Sequence, residues 1–121
     1  DIRFPEMARM LVLKYGVDVI LHCGAYYRDP SFPTWHAFAT VRAIENQVFL
    51  LSLNRAGQHY GNSLFCYPWM DDTRGPEPFA ENDEDLRYIE IDQSSLRKAR
   101  AEYTSLMDRR DSYDLPCKSW R

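Results

Sequence analysis

The sequence predicts an α/β domain, and three observations carry that expectation. Two β-branched, mostly apolar runs, Val17 to Cys23 and Gln47 to Asn54, have the length and continuity of buried sheet strands. Helical segments precede the first run and connect it to the second, giving the order α-β-α-β. Glycine and proline fall at the boundaries of these segments, where backbone direction must change.

The first helix begins at Pro5, whose missing N–H costs nothing in a first turn, and runs to Lys14 before Gly16 closes it. Met7, Met10 and Leu11 share one face of it. After the first strand, Gly24 to Pro33 holds two prolines and should form a loop of the kind that often contacts ligands. Thr34 to Asn46 reads as the second helix, with Trp35, Phe38, Ala39, Arg42 and Glu45 recurring at three- and four-residue steps. A loop with Gly57 and Gly61 follows the second strand and leads into a third, Ser63 to Tyr67. Met70 to Asp85 carries seven acids against Arg74 and predicts an exposed acidic loop. Leu86 to Asp92 should be a half-buried fourth strand with Ile89 and Ile91 on one face. Asp92 or Ser94 then caps a helix from Ser95 to Leu106, with Arg97, Lys98 and Arg100 in solvent, and a polar tail covers residues 107–121.

The chain has 121 residues, 45% of them hydrophobic, and fits one domain, 1–121. Fifteen basic against eighteen acidic residues give a net charge of −3, so nothing draws in nucleic acid or an anionic membrane. Without the seven acids and one base of the acidic loop, the rest of the chain holds 14 basic and 11 acidic residues, so the acidity is local. No apolar run approaches the roughly 18 to 20 residues that span a bilayer. Three scattered cysteines suit a reducing compartment, which makes the cytoplasm the expected location. The chain opens on Asp1 and runs directly into a structured segment, which reads as a fragment.

Thiol chemistry needs a base or a cation beside the sulfur. Cys23 follows His22, but neighbours in a strand face opposite ways, so Cys23 reads as a buried strand cysteine. Cys66 lies seven residues beyond His59 and reads as a core residue, the alternative being an independent thiol enzyme built on that pair. Cys117 reads as an exposed tail residue. No paired Cys/His spacing and no glycine-rich phosphate loop is present, so neither a metal nor a cofactor is expected. Arg42 and Glu45 form an ordinary helical pair if exposed, but their stripe contains Trp35 and Phe38, which implies partial burial. Arg3 and Glu6 pose the same question around Phe4-Pro5.

Two strings, Asp1-Ile2-Arg3-Phe4-Pro5-Glu6 and Arg42-Ala43-Ile44-Glu45-Asn46-Gln47, stand with Trp35 seven residues before Arg42 and Asn54-Arg55 after the second strand. Together they resemble the carbon-nitrogen hydrolase superfamily of nitrilases, amidases and carbamoylases. Gly61-Asn62-Ser63 resembles that family's Gly-His-Ser, and Asp108-Arg109-Arg110 its C-terminal Asp-Arg-Arg. The resemblance implies the C-terminal half of an α-β-β-α sandwich. In the family pattern Cys-Tyr-Asp-x-Arg-Phe-Pro-Glu, Asp1 matches the aspartate, so the nucleophile would lie two residues before it. The general-base glutamate and the lysine would lie further upstream, leaving no catalytic residue in this chain. Gly24, Ala25, Tyr26 and Tyr27 match the segment that contacts substrate, unless that aromatic loop merely packs. Asp1, Arg3, Glu6, Trp35, Arg42, Glu45, Asn54 and Arg55 match structural positions near the site. The implied partners are a small amide or nitrile, with the amide preferred, the N-terminal half of the same domain, and a second copy meeting across the two helices. The other reading is a non-catalytic remnant or accessory binding module of the same fold. Asn62 in place of the family's histidine, and Tyr67-Pro68-Trp69-Met70 in place of Asp-Pro-x-Gly, depart from the pattern and predict an unusual hairpin.

Overall fold

A computed structural model of the chain describes residues 1–112, so Cys117 and most of the expected polar tail lie outside the described residues. Helix α1 (Pro5–Tyr15) ends at Gly16, whose φ of 63° lets its N–H reach back to the carbonyls of Leu11 and Val12. Strand β1 (Val19–Cys23) leads through the expected loop into α2 (Phe32–Asn46), and β2 (Phe49–Leu53) follows at once. β1 and β2 are parallel, pairing Val19 with Phe49 and Cys23 with Leu53, so β1-α2-β2 is a crossover unit. Strand β3 (Leu64–Cys66) adds antiparallel to β2, and the two-residue β4 (Glu77–Pro78) adds to β3, giving a sheet ordered β1-β2-β3-β4.

Helix α2 begins at Phe32, two residues earlier than expected, because Pro33 sits in its first turn, where proline is compatible with a helix. Alternation along the strands divides the core in two. Ile20, Leu50, Leu64 and Cys66 face α2 and pack with Phe32, Trp35, Ala39 and Ala43. Phe49, Phe65 and Leu96 fill the opposite side with Tyr67, Phe79 and Ile89. Leu96 belongs to α3 (Gln93–Glu102), which Asp92 caps by accepting from the Ser94 and Ser95 N–H groups. Those donors hold the Asp92 carboxyl well below the usual carboxylate range.

Five expectations are corrected. Leu86 to Asp92 is not a strand: Leu86 and Tyr88 point into solvent, and the Arg87 guanidinium takes the Pro78 carbonyl of β4 at 3.0 Å instead of a backbone N–H. The strand that does form there, β4, lies inside the stretch expected to be loop. The last helix starts at Gln93 and stops at Glu102, where Tyr103 turns extended before a short 3-10 turn, Thr104–Leu106. Arg100 is not solvated but reaches Asp18 Oδ1 at 3.0 Å and the Gln47 carbonyl at 3.3 Å. β1 is an edge strand, so Leu21 is 68% exposed and Cys23 is exposed rather than buried.

Candidate active-site cleft

In a parallel βαβ unit the loops that leave the carboxyl ends of the strands form a crevice, because the crossover helix starts there and diverges. Here those loops are residues 24–31 after β1 and 54–63 after β2. A cleft of about 400 Å³ lies between the first of them, the start of α2 and the segment Asp1 to Arg3.

Asn54 joins the two loops. Its Oδ1 accepts from the Tyr26 N–H at 2.7 Å and the Arg55 N–H at 2.9 Å, while its Nδ2 donates to the carbonyls of Tyr26 at 3.0 Å and Gly61 at 2.9 Å. Gly61 has φ 79°, and a Cβ there would fall 1.7 Å from the Glu81 carbonyl oxygen. No other residue fits that approach. Arg28 adds a second tie, donating to the Tyr60 carbonyl at 2.9 Å and to Asn62 Oδ1 at 2.6 Å while lying over the Phe32 ring. His36 on α2 hydrogen-bonds the Asn62 carbonyl at 2.7 Å.

Among the residues expected at the site, Asp1, Arg3, Ala25, Tyr26, Tyr27 and Trp35 line the cleft. Gly24 lies behind Tyr26, and a Cβ on it would sit 2.5 Å from the tyrosine ring. Arg42 is buried and donates to the Ile2 carbonyl at 3.0 Å, the Arg3 carbonyl at 3.2 Å and Glu45 Oε1 at 3.0 Å. It thereby holds the segment that forms the cleft's far wall, while the Glu45 side chain remains 30% exposed. Arg3 does not pair with Glu6. Its Nε lies 3.0 Å from Asp1 Oδ2, because the turn at Arg3 folds its side chain back, and Glu6 is exposed. Arg55 is exposed and covers the Tyr60 ring.

Charge in the cleft is fixed by hydrogen bonds. Asp29 accepts from the Ser31 hydroxyl at 2.6 Å and its N–H at 2.7 Å, which holds its carboxyl below the usual range. Burial pushes the Tyr26 phenol up, so it stays protonated at neutral pH and can donate. Cys66 does not meet His59. The thiol is buried under α2 and pushed up to about 12 by desolvation, whereas His59 is exposed beside the Tyr27 ring, so the independent thiol-enzyme reading fails. Among the described residues no group of three or more metal-ligating side chains converges.

Sequence reasoning missed His22, Ser52, Arg28, His36 and Asn62 as parts of this end of the sheet. Ser52 carried a readable signal as the only polar residue of a buried strand, since such a hydroxyl must find partners. Arg28, His36 and Asn62 acquire their partners through long-range contacts, and His22 meets Ser52 in the same way.

A family profile described as carbon-nitrogen hydrolase matches residues 1–101. The chain belongs to the carbon-nitrogen hydrolase family. This carbon-nitrogen hydrolase chain is 32% identical to an (R)-stereoselective amidase of Pseudomonas sp. over 112 residues, 91% of this chain and 40% of that protein. It is 26% identical to the deaminated glutathione amidase of Dictyostelium discoideum, covering 83% of this chain and 35% of the relative. The crystal structure of Saccharomyces cerevisiae Nit3, a member of branch 10 of the nitrilase superfamily, superposes with a TM-score of 0.71 at 27% identity. That superposition covers 85% of this chain and 38% of Nit3, and it gives the chain a nitrilase-type fold. The chain therefore spans 40% or less of the length of these proteins.

Proposed function

We infer that the protein carrying this chain is an amidase that cleaves a non-peptide carbon–nitrogen bond by thiol-dependent acyl transfer, and that this chain supplies one wall of its substrate cleft. The observation that carries the reading is the family match over residues 1–101, whose strand ends and loops enclose the cleft between Asp1 and Trp35. Amides are preferred to nitriles because both curated relatives above are amidases.

In this reading a cysteine two positions before Asp1 attacks the amide carbon as thiolate, a glutamate upstream moves the protons, and a lysine with a backbone N–H steadies the oxyanion. Ala25, Tyr26 and Tyr27 face the acyl group with Gly24 behind the Tyr26 ring, and Asp1, Arg3, Arg42 and Asn54 hold the walls. The N-terminal half of the domain covers the side of β1 on which Leu21 and Cys23 stand exposed. A second copy docks on α1 and α2, where Met7, Met10 and Val41 are exposed.

The test is an assay of the full-length protein and of the 121-residue chain against short amides and nitriles. Turnover by the full-length protein that thiol alkylation abolishes, with none by the chain, is the expected result. A full-length protein that binds such amides without turning any over would establish the remnant reading instead.

A further inference from the structure

The interior between β1, β2 and α2 holds a chain of polar contacts that ends at the cleft. Trp35 Nε1 lies 2.8 Å from Ser52 Oγ, Ser52 Oγ lies 2.9 Å from His22 Nδ1, and His22 Nε2 lies 3.3 Å from the Tyr26 hydroxyl. The proton positions follow from counting donors. Indole nitrogen only donates, so Ser52 Oγ accepts from Trp35. Ser52 is fully buried, and its own proton has no described acceptor other than His22 Nδ1. His22 Nδ1 is then the acceptor, which leaves the ring's proton on Nε2, where it donates to the Tyr26 oxygen. The remaining phenolic proton has no described acceptor on the protein, and Tyr26 lines the cleft.

The ring that carries this hydroxyl is held on one face and through its backbone. It stacks on Trp35 with centroids 4.5 Å apart and planes 6° from parallel, and its backbone is clamped at both N–H and carbonyl by Asn54. A hydroxyl so fixed loses little freedom on engaging a ligand, which is what makes a preorganised donor selective.

We propose that Tyr26 is a substrate-binding donor of the cleft, oriented by the relay Trp35–Ser52–His22, and that it selects amides whose acyl portion carries a further oxygen acceptor, a carbonyl or carboxylate, over acyl groups that lack one. This rests on the amidase reading above, in which the scissile oxygen is steadied by groups outside the chain, so that Tyr26 reads another oxygen. Tyr26 would touch the substrate, while His22, Ser52 and Trp35 are positioning residues that act through it. Burial of His22, which lowers its tendency to protonate, keeps the ring in the neutral form the relay needs.

The experiment uses the full-length protein with matched amides that do or do not carry an acyl oxygen. Tyr26→Phe should lower kcat/KM tenfold or more for the oxygen-bearing amide, mainly through KM, and less than twofold for the other. His22→Phe should act in the same direction, and His22→Gln, whose amide N–H can replace the Nε2 donor, should recover part of the loss. In a Tyr26→Phe background His22→Phe should add nothing. Independent losses that multiply in the double variant, or equal losses on both amides, overturn the proposal. Nitrogen-15 signals of the His22 ring read the relay without turnover: the Nε2-protonated neutral form is expected, and an Nδ1-protonated ring refutes it. A protein that hydrolyses no amide refutes the amidase reading and the ligand assigned to Tyr26, while the ring signals still decide the relay.

Discussion

The two faces of β1 stand in sharp contrast. On the α2 side, Ile20 and His22 lie against a helix whose Trp35, Ala39 and Ala43 are buried, and polar groups there are joined by hydrogen bonds. On the other side, Leu21 is 68% exposed and Cys23 stands free, while Val19 at the start of the strand packs against the cluster of Phe49, Phe65 and Leu96. Alternation sends consecutive residues of one strand to these two environments, so composition alone cannot tell which residue of the pair is held. The well-covered face is also the one that builds the cleft.

The largest expected effect that would break this contrast is at Arg42. Arg42→Met removes the buried donors to the Ile2 and Arg3 carbonyls and the partner of the part-exposed Glu45, and each buried acceptor left unpaired costs about 1 to 3 kcal/mol. Urea melts should show that loss, and a change below about 1 kcal/mol would mean that the Asp1 to Arg3 wall does not depend on it. Next comes a pair on opposite faces. Leu50→Ala opens a cavity under α2 and should cost about 2 to 5 kcal/mol, whereas Leu21→Ala in the 121-residue chain should stay within about 0.5. A large loss from Leu21→Ala in the longer protein would sharpen the comparison, since it would show that face covered by residues outside this chain.

The smallest effect is a dependence on pH. Burial lowers the His22 pKa from an unfolded value near 6.5, so on acidification the unfolded chain takes up the proton first. The stability His22 contributes is fully present above about 6.5 and is lost progressively as the pH falls below it. Melting midpoints between pH 7.5 and 5 should fall for the wild type and fall less for His22→Gln. Equal slopes would remove His22 from the account.

Helices α1 and α2, the parallel strands and the exposed acidic stretch were legible in the residues because each rests on local rules. Pro5 and Gly16 bound α1, and the β-branched runs mark strands whatever surrounds them. Leu86 to Asp92 misled for the complementary reason. Alternation there satisfies the pattern of a strand, but a strand also needs a partner edge, and the short β4 with Pro78 offers none.

The cleft divides along the same line. The sequence by itself determined that a loop of small and aromatic residues, Gly24 to Tyr27, follows the first strand, because glycine and proline end regular structure without help from the rest of the fold. Only the tertiary structure decided that Ser52, thirty residues from His22, would meet it at 2.9 Å, or that Asn54 would clamp Tyr26 from 28 residues away. A buried polar side chain announces in the sequence that it needs a partner, but partners supplied by other strands and loops are chosen by register and crossover geometry, which exist only once the sheet has formed.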